Sequence, residues 1–422
     1  MFIMFRANNY TSFKDDVIID LRKGSYREHL NHIINGETHD VLKSLAIYGP
    51  NASGKSNLIS AIATFDEIVR GNFFDDEKDK LANKKIGTRL KPFLLSDNSD
   101  ETIEFEMIFY NKYLYQYGFS IKNGEILTEW LEVNEELVFD REKKNLKFGK
   151  HYKNLLEEFS KNRTDRLYIS VLDYFISEEP LKDIFENFKL FFIDKLNLYS
   201  ELIIETTIKG LNLGVGPSKK LKEDEDFRKK VLEYIQKVDL GIDNIIIEEE
   251  MVTDTENNEQ RKTDILKTVH NIYDENDKVV DSKKFKLSYE SSGTLRFLSF
   301  IQQVLEIMES GGIFIVDEMS SRLHPVLTKF IVDTFVSKDN KKGQLIFVTH
   351  DISLMNKDQF RRDEIGLVDK NKKGESSFYT LYDLEVRSDA SFDKDYFKGK
   401  YGAIPIINSY NILEKECWLW LD

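Results

Sequence analysis

The stretch of sequence that decides the fold is LAIYGPNASGKS, residues 45–56. A short apolar run ends in a glycine-rich loop, and Lys55 and Ser56 then open a helical pattern. The spelling is G-x-x-x-x-G-K-[ST], the Walker A pattern, in the strand-to-helix setting that this pattern requires. A glycine-rich turn before a helix can also be only a turn, but here every fixed position is filled. We therefore predict a phosphate-binding P-loop at residues 49–56.

Each position of the predicted P-loop has a chemical reason. Gly49 and Gly54 allow sharp turns that aim backbone N–H groups at phosphate oxygens. The N-terminal end of the following helix adds positive potential. Lys55 places a charge on the β- and γ-phosphates, and the Ser56 hydroxyl ligates Mg²⁺. Further nucleotide contacts are expected in the loop and the first helical turn, at Asn51, Ser53 and Asn57.

Composition limits the class of protein. The chain has 422 residues with 74 acidic and 60 basic side chains, and its net charge of −14 argues against a general polyanion-binding surface. A local basic cluster at Lys84, Lys85, Arg89 and Lys91 leaves DNA binding open, although such a run is usually a solvated face. The single cysteine, Cys417, builds no internal disulfide, which favours a cytoplasmic protein. No apolar run reaches the roughly 18 to 20 residues that cross a bilayer, so we expect no membrane association.

The periodicity of apolar residues predicts an α/β protein. Residues 103–119 alternate with period two, and residues 122–125 read as a hairpin turn, so we expect an antiparallel meander. Residues 313–316 and 345–348 are continuous apolar runs, as in parallel strands that are buried on both faces. Residues 295–308 carry one helical apolar face that ends at glycine.

Two carboxylates follow the apolar run at residues 313–316, as in a Walker B pattern. Ligands of open α/β sheets bind at the C-terminal ends of the strands, which is where Asp317 and Glu318 stand. Asp317 is expected to support Mg²⁺, and Glu318 is expected to orient and polarise the attacking water. Thr349 and His350 follow the next apolar run in the same way, and we predict that His350 reaches the γ-phosphate or that water.

The segment before the helix at residues 295–308 contains Ser291, Ser292 and Gly293. The two serines are natural N-caps, which is the simplest interpretation. The order of serine-glycine turn, helix and Walker B also matches the signature motif of ABC-type ATPases. In that interpretation the helix N-terminus donates N–H and hydroxyl groups to the γ-phosphate held by a second subunit. Residues 321–325 then correspond to a D-loop at the same dimer interface.

Taken together, these motifs resemble the SMC/RecF-type branch of ABC ATPases. More closely, the chain is similar to RloA-like and AbiL-type ATP-binding proteins of bacteria. The similarity rests on GPNASGKSNLISAI from Gly49, ESSGTLRFL from Glu290, VDEMSSRLHP from Val316, THD from Thr349 and KGKYGAIPII from Lys398. The last of these motifs has no nucleotide chemistry that we can assign. The resemblance is vague between residues 140 and 280.

The resemblance implies a fold, cofactors and partners. It implies an ABC-type ATPase head, with a mixed sheet holding the P-loop, an antiparallel β lobe and a helical insertion. We expect an N-terminal ATPase lobe at residues 1–140, a mainly helical insertion at 141–280 and a C-terminal ATPase lobe at 281–422. It further implies ATP and Mg²⁺ as cofactors and an ATP-dependent homodimer. The residues after His350 are too few for a TOPRIM domain, so a TOPRIM-like nuclease effector is expected as a separate protein.

Two departures from the pattern concern the sensing of the γ-phosphate. Residues 90–95 stand where a Q-loop belongs but contain no glutamine, and Gln116 lies inside the aromatic strand pattern. The signature reads Ser-Ser-Gly-Thr rather than Ser-Gly-Gly-Gln. Neither departure affects the prediction of ATP binding.

The sequence therefore favours an ATPase switch that dimerises on ATP and controls an effector in a bacterial anti-phage, abortive-infection module. The alternative is a DNA repair or recombination ATPase of RecF or SMC type. A transporter subunit fits poorly, since a long stretch separates Ser56 from Ser291. A kinase or GTPase would leave Ser291 and His350 unexplained.

Overall fold

The computed structural model describes most of the chain. Residues 1–73, 90–97, 101–159, 166–176, 178–199, 218–239, 241–253 and 260–405 are described. The basic cluster at residues 84–89, the single cysteine and the last two residues of the KGKYGAIPII motif lie outside them.

The described elements are runs of strands separated by helices. The strands are β1 (Phe2–Asn8), β2 (Val17–Asp20), β3 (Ile33–Ile34), β4 (Val41–Leu42), β5 (Ser44–Tyr48), β6 (Ile103–Asn111), β7 (Tyr113–Lys122), β8 (Glu125–Val133), β9 (Glu136–Glu142), β10 (Asn145–Phe148), β11 (Leu196–Tyr199), β12 (Asn244–Thr253), β13 (Gln260–Tyr273), β14 (Val279–Lys286), β15 (Gly312–Val316), β16 (Gly343–Val348), β17 (Ile365–Lys370) and β18 (Ser376–Thr380). The helices are α1 (Lys55–Phe73), α2 (Lys153–Leu156), α3 (Tyr168–Phe175), α4 (Leu181–Leu190), α5 (Lys219–Glu223), α6 (Glu225–Gln236), α7 (Ser292–Ser310), α8 (Pro325–Val336) and α9 (Phe392–Phe397).

A six-stranded sheet forms the centre of the molecule, in the order β11-β15-β16-β5-β17-β18. All neighbouring pairs are parallel except β17 with β18. An N-terminal strand, β5, therefore lies between two strands from the C-terminal third of the chain. This mixed sheet, which carries the glycine-rich loop after β5, has the architecture that the motifs predict.

Hydrophobic cores cover both faces of this sheet, which explains why its central strands are apolar throughout. Leu45 and Ile47 of β5 belong to the core that includes α1 and the antiparallel sheet. Ala46 and Tyr48 point to the other face and join the core under α7 and α8. Successive side chains of a strand alternate between faces, so a strand buried on both sides cannot carry a polar stripe.

A seven-stranded antiparallel sheet, in the order β10-β9-β8-β7-β6-β1-β2, packs against the α1 side. The meander β6-β7-β8 confirms the period-two prediction, and Asn123 and Gly124 form the hairpin turn between β7 and β8. The antiparallel β lobe predicted beside the P-loop core is therefore present.

The segment at residues 141–280 differs from its prediction as a mainly helical insertion. Helices α2 to α6 occupy its first part, but β12, β13 and the start of β14 form a three-stranded antiparallel sheet after residue 243. The prediction was wrong for this part: β14 is exposed along most of its length and carries no apolar alternation, although Ile245 of β12 and Leu266 of β13 are buried. Ion pairs between strands also join this sheet, as between Lys267 and Glu248 (2.7 Å) and between Lys286 and Glu250 (3.0 Å).

In the described part of the chain, no helix is long and apolar enough to cross a membrane.

Candidate nucleotide site

The predicted site residues meet at one edge of the six-stranded sheet. Strand β15 pairs in parallel with β16, Val316 opposite Phe347, and β16 pairs in parallel with β5, Val348 opposite Ile47. The C-terminal ends of the three strands therefore lie side by side. The turns that follow them carry Gly49, Asp317 and His350, as the sequence predicts for strand-end residues.

The P-loop passes so close to its neighbours that two of its positions require glycine. Gly49 has φ +151°, and a Cβ there would lie 2.3 Å from the Val368 carbonyl oxygen of β17. Gly54 has φ +117°, and a Cβ there would lie 2.6 Å from the Ser376 Oγ and 2.8 Å from the Ser12 Oγ. Both φ values fall in the region that side chains avoid, so each glycine is required twice, by conformation and by space.

Two serines hold the P-loop from outside. Ser376 donates its hydroxyl to the Ser53 carbonyl oxygen (2.6 Å), and its N–H reaches the Ser12 carbonyl oxygen (2.7 Å). Asn57 donates to the Ser12 Oγ (2.8 Å). Asn57, predicted as a nucleotide contact, thus bonds to the turn between β1 and β2. Ser12 and Ser376 were missed by sequence reasoning because only the folded chain brings them to the loop.

Lys55 is buried and turns back onto its own loop. Its ammonium group donates to the carbonyl oxygens of Gly49 (2.8 Å) and Pro50 (2.8 Å). Burial lowers the pKa of Lys55, while the carboxylates of Asp317 and Glu318 act to raise it. A lysine ammonium has three donors, so the side chain can bind an anion while it stays anchored to the loop.

The two carboxylates after β15 differ in exposure. The Oδ1 atom of Asp317 is buried and has no hydrogen-bond partner in the described structure. Glu318 is exposed and has φ +52°, a left-handed backbone conformation that is uncommon for a glutamate. Arg296 of α7 is buried and donates to the Glu318 carbonyl oxygen (2.7 Å). The helix thereby holds the turn that carries Glu318.

His350 follows β16 and is exposed at the same edge. The preceding Thr349 is buried and donates its hydroxyl to Ser320 (3.0 Å), and its Oγ1 also accepts from the Asp351 N–H (3.0 Å). These bonds tie the His350 turn to the turn after β15. Desolvation and the ammonium of Lys55 lower the pKa of His350, which favours a neutral imidazole at pH 7.

The predicted signature residues lie at the N-terminus of α7. Ser291 caps the helix, since its Oγ accepts from the Thr294 N–H (3.0 Å), and both Ser291 and Ser292 are exposed. A Cβ on Gly293 would be 3.5 Å from the Arg322 carbonyl oxygen, so the helix start lies beside the turn at residues 321–325. The cap and an exposed helix N-terminus are therefore both present.

The remaining predicted residues surround the P-loop. Asn51 and Ser56 are exposed, and the Ser53 Oγ is buried without a hydrogen-bond partner among the described residues. Among the residues that the structure describes, no group of three or more histidine, cysteine, aspartate or glutamate side chains has the geometry of a metal site. Proteins hold Mg²⁺ at nucleotide sites through one or two side chains together with phosphate oxygens and water. Asp317, with its unpartnered oxygen, and Ser56 fit that donor set.

The two candidates for a Q-loop, Gln116 and the segment at residues 90–95, lie in different parts of the structure. Gln116 lies within β7 and donates to Glu106 (2.6 Å), so it belongs to the antiparallel sheet. The segment at residues 90–95 bonds to the turn after β1, where Lys91 accepts from Thr11 (2.7 Å). That turn also carries Ser12, whose Oγ lies beside Gly54 of the P-loop. The segment at residues 90–95 is therefore connected to the P-loop through this turn.

Comparison with solved structures finds SMC head domains. A crystal structure of an SMC head bound to the C-winged helix domain of ScpA has 15% identity, covers 93% of this chain and 99% of that chain, and has a TM-score of 0.48. An SMC head domain from Thermotoga maritima has 13% identity, coverages of 90% and 98%, and a TM-score of 0.43. An SMC head from Pyrococcus furiosus, with an extended coiled coil and bound to the C-terminal domain of ScpA, has 14% identity, coverages of 94% and 98%, and a TM-score of 0.41.

Because these identities and TM-scores are low, the fold is assigned from the strand order of the chain itself. The family is assigned from a separate comparison of the sequence with family profiles. No curated protein matches the chain. The sequence profile of one family, described as "AAA domain, putative AbiEii toxin, Type IV TA system", matches residues 44–356. That range contains the P-loop, the start of α7, both carboxylates after β15 and His350. The chain therefore belongs to this family of AAA-domain proteins.

Proposed function

We propose that this protein is a Mg²⁺-dependent, ABC-type ATPase that binds ATP between two copies of the chain. The observation that carries the proposal is the meeting of the P-loop, the carboxylate turn and His350 at adjacent strand ends. The loop and the N-terminus of α1 offer N–H groups to phosphate oxygens, and Lys55 offers a charge. Gly49, Asn51, Ser53, Gly54 and Asn57 shape or border this phosphate site.

The reaction is the transfer of the γ-phosphoryl group of ATP to water. A bond forms between the water oxygen and the γ-phosphorus, the bond from that phosphorus to the bridging oxygen breaks, and ADP and phosphate leave. The exposed Glu318 orients the water and accepts its proton. His350, neutral and beside Lys55, donates a hydrogen bond to the γ-phosphate. A Mg²⁺ ion held by Ser56 and Asp317 would neutralise charge on the β- and γ-phosphates.

The second copy completes the site. Ser291 and Ser292 are exposed and Gly293 is half-buried at the N-terminus of α7, which offers backbone N–H groups to an anion. Within one chain the N-terminus of α7 comes after β14, whereas the P-loop comes after β5, so the two belong to separate parts of the chain. An arrangement in which each α7 meets the other copy's γ-phosphate uses both exposed surfaces and makes dimerisation depend on ATP.

The proposed biological role is supported by the resemblance of the sequence motifs to RloA-like and AbiL-type proteins rather than by the geometry of the site. We propose that the ATP-dependent dimer is the ATPase component of an anti-phage, abortive-infection module in the cytoplasm. The dimer controls a separately encoded effector protein, and we expect this effector to be a TOPRIM-like nuclease. The net charge of −14 argues against DNA as the main ligand of the isolated chain.

The first experiment measures mass by light scattering and ATP hydrolysis for Glu318→Gln. We expect a dimer that requires both ATP and Mg²⁺ and a hydrolysis rate lowered about 100-fold or more, since a general base contributes roughly 10²–10⁴-fold. The matched control is Glu385→Gln, since Glu385 is also exposed and left-handed, with φ +51°, but lies outside the site. Lys55→Ala should lose ATP binding.

The same preparation tests the partner. Co-expression with the neighbouring genes should retain one neighbour's product on the ATP-bound dimer of Glu318→Gln. A monomer that hydrolyses ATP normally after the substitution would contradict the assignment of Glu318 and of the dimer. Salt-dependent DNA binding by the purified chain would favour the repair ATPase instead.

A further inference from the structure

The start of α7 is tied to the segment that precedes it in the chain. We call residues 290–294 the signature turn, since they comprise the residue before the helix cap, the cap Ser291 and the first residues of α7. Two groups of contacts hold this turn, one from β13 and one from the residues after α6. Both come from the segment at residues 141–280, which so far has no assigned function.

Glu290 of the signature turn is held by β13. Its side chain is 9% exposed, and its Oε1 atom accepts from the Thr268 hydroxyl and from the His270 Nε2 (2.8 Å). A carboxylate can only accept hydrogen bonds, so the Nε2 atom of His270 carries a proton. The His270 ring lies 5.0 Å from the Phe285 ring of β14, centre to centre. Two strands of the three-stranded sheet therefore contribute to the surroundings of Glu290.

The three-stranded sheet is itself attached to the main body of the molecule. Ile245 of β12 and Leu266 of β13 are buried, and both belong to the hydrophobic core that lies under α7 and α8. Leu266 stands two residues before Thr268, which is also buried. The donors to Glu290 are therefore mounted on a packed part of β13 rather than on an exposed hairpin.

Thr294 is held at the other end of the signature turn. Its hydroxyl donates to the Asp239 Oδ2 (3.0 Å), and the Asp239 Oδ1 accepts from the Gly241 N–H (3.1 Å). Thr294 is the residue that stands in place of the last glutamine of Ser-Gly-Gly-Gln, and here its side chain bonds within the chain. Neither this contact nor the Ser291 cap involves Glu290. Removal of the Glu290 side chain therefore leaves the start of α7 capped.

We propose that Glu290 is a positioning residue, through which β13 fixes the place of Ser291 for the γ-phosphate bound by the second copy. The inference rests on the proposed function and adds a means of regulation to its site. A turn that is already fixed loses less conformational entropy when a complex forms. Loosening the turn should therefore weaken the dimer without weakening ATP binding by one chain, since the P-loop lies on a different element. A displacement of β13 would change the affinity of the dimer in the same way.

The test measures two affinities of each variant, both in the Glu318→Gln background with Mg²⁺. Glu290→Ala should raise the dissociation constant of the ATP-bound dimer about tenfold, because an unfixed turn must be ordered on binding. It should leave the affinity for a fluorescent ATP analogue unchanged, measured at protein concentrations where the chain is a monomer. Glu290→Gln keeps an oxygen that accepts both hydrogen bonds and should restore most of the lost dimer affinity. The matched control, Glu275→Ala, replaces an exposed glutamate in the turn between β13 and β14 and should change neither affinity.

A double-mutant cycle tests whether Glu290 acts through β13. Thr268→Val replaces one donor to Glu290 by a methyl group of similar size and should also weaken the dimer. Combined with Glu290→Ala it should cause no further loss, because both substitutions break the same contact. Additive losses would overturn the inference, since Glu290 would then act independently of Thr268.

The outcomes separate this inference from the proposed function. A Glu290→Ala protein with lowered ATP affinity and an unchanged dimer would overturn the positioning role and assign Glu290 to the support of the nucleotide site. An ATP-dependent dimer whose affinity does not respond to Glu290→Ala would overturn this inference alone. Absence of any ATP-dependent dimer of Glu318→Gln would overturn both this inference and the proposed function.

Discussion

Gly54 is the residue on which the shape of the P-loop depends most directly. Its backbone has φ +117°, and the hydroxyls of Ser376 and Ser12 approach the place that a side chain would take. These serines in turn hold the Ser53 carbonyl and Asn57. One missing methyl group thus allows two separate parts of the chain to meet at the loop.

Gly54→Ala should lower the free energy of unfolding by about 3 kcal/mol, because it adds backbone strain and a steric clash. The matched control is Gly124→Ala in the β7–β8 turn, where φ is +81° but no atom lies within 4 Å of the added Cβ. The control adds backbone strain without a clash, so its free energy of unfolding should fall by only about 1 kcal/mol. Urea unfolding measures both, and equal losses would contradict the importance of the close approach.

Helix α7 is the element that connects two parts of the candidate site. Its N-terminus carries Ser291 and Ser292, and one turn later Arg296 bonds to the carbonyl of Glu318. The Arg296 guanidinium also lies 5.1 Å from the Phe300 ring centre on the same helix. A shift of the helix therefore changes the position of the carboxylate proposed to activate water.

Arg296→Lys should lower kcat for ATP hydrolysis at least tenfold with little change in KM, because an ammonium cannot reproduce the planar guanidinium contact. Gln303→Ala on the same helix is the control and should leave kcat unchanged. An increase in KM at constant kcat would mean that Arg296 supports ATP binding rather than the Glu318 turn.

The stability of the whole molecule should depend on pH through Lys43, which precedes β5. This buried side chain donates to the Ser337 carbonyl oxygen (2.7 Å). Burial, and then the nearby Lys341, lower the pKa of Lys43 to about 8 from 10.5. Between these values the unfolded chain binds more protons than the folded chain, so stability rises with pH.

Lys43→Met should remove this rise. We expect the difference in unfolding free energy, wild type minus variant, to increase above pH 8 by at most about 1.4 kcal/mol per pH unit. Lys147→Met is the control, since the Lys147 side chain is 75% exposed. Denaturant unfolding at pH 7, 8, 9 and 9.5 measures the effect, and parallel curves for the wild type and Lys43→Met would contradict it.

The sequence predicted the central sheet well, because its strands are continuous apolar runs and the P-loop has a fixed spacing of glycine, lysine and serine. Both signals are local in the sequence. The segment after residue 243 was mispredicted, because β14 is exposed along most of its length and carries no apolar alternation. Lys284 and Glu248 join its strands through a contact that only pairing creates. Arg296 and Ser376 were missed for a related reason: each is an ordinary residue in its own element, and its role depends on a distant partner.

The position of β5 has a consequence for how the protein is made. Its neighbours β16 and β17 follow far along the chain, while β1 meets β6 early. At ribosomal rates of about 5 to 20 residues per second, Tyr48 emerges roughly 15 to 60 seconds before Gly343. During this interval the apolar strand β5 has been synthesised but its pairing partners β16 and β17 have not. Only the antiparallel sheet and α1 can then cover β5. Nascent chains interrupted before β16 would therefore be incapable of holding nucleotide and would be clients for chaperones.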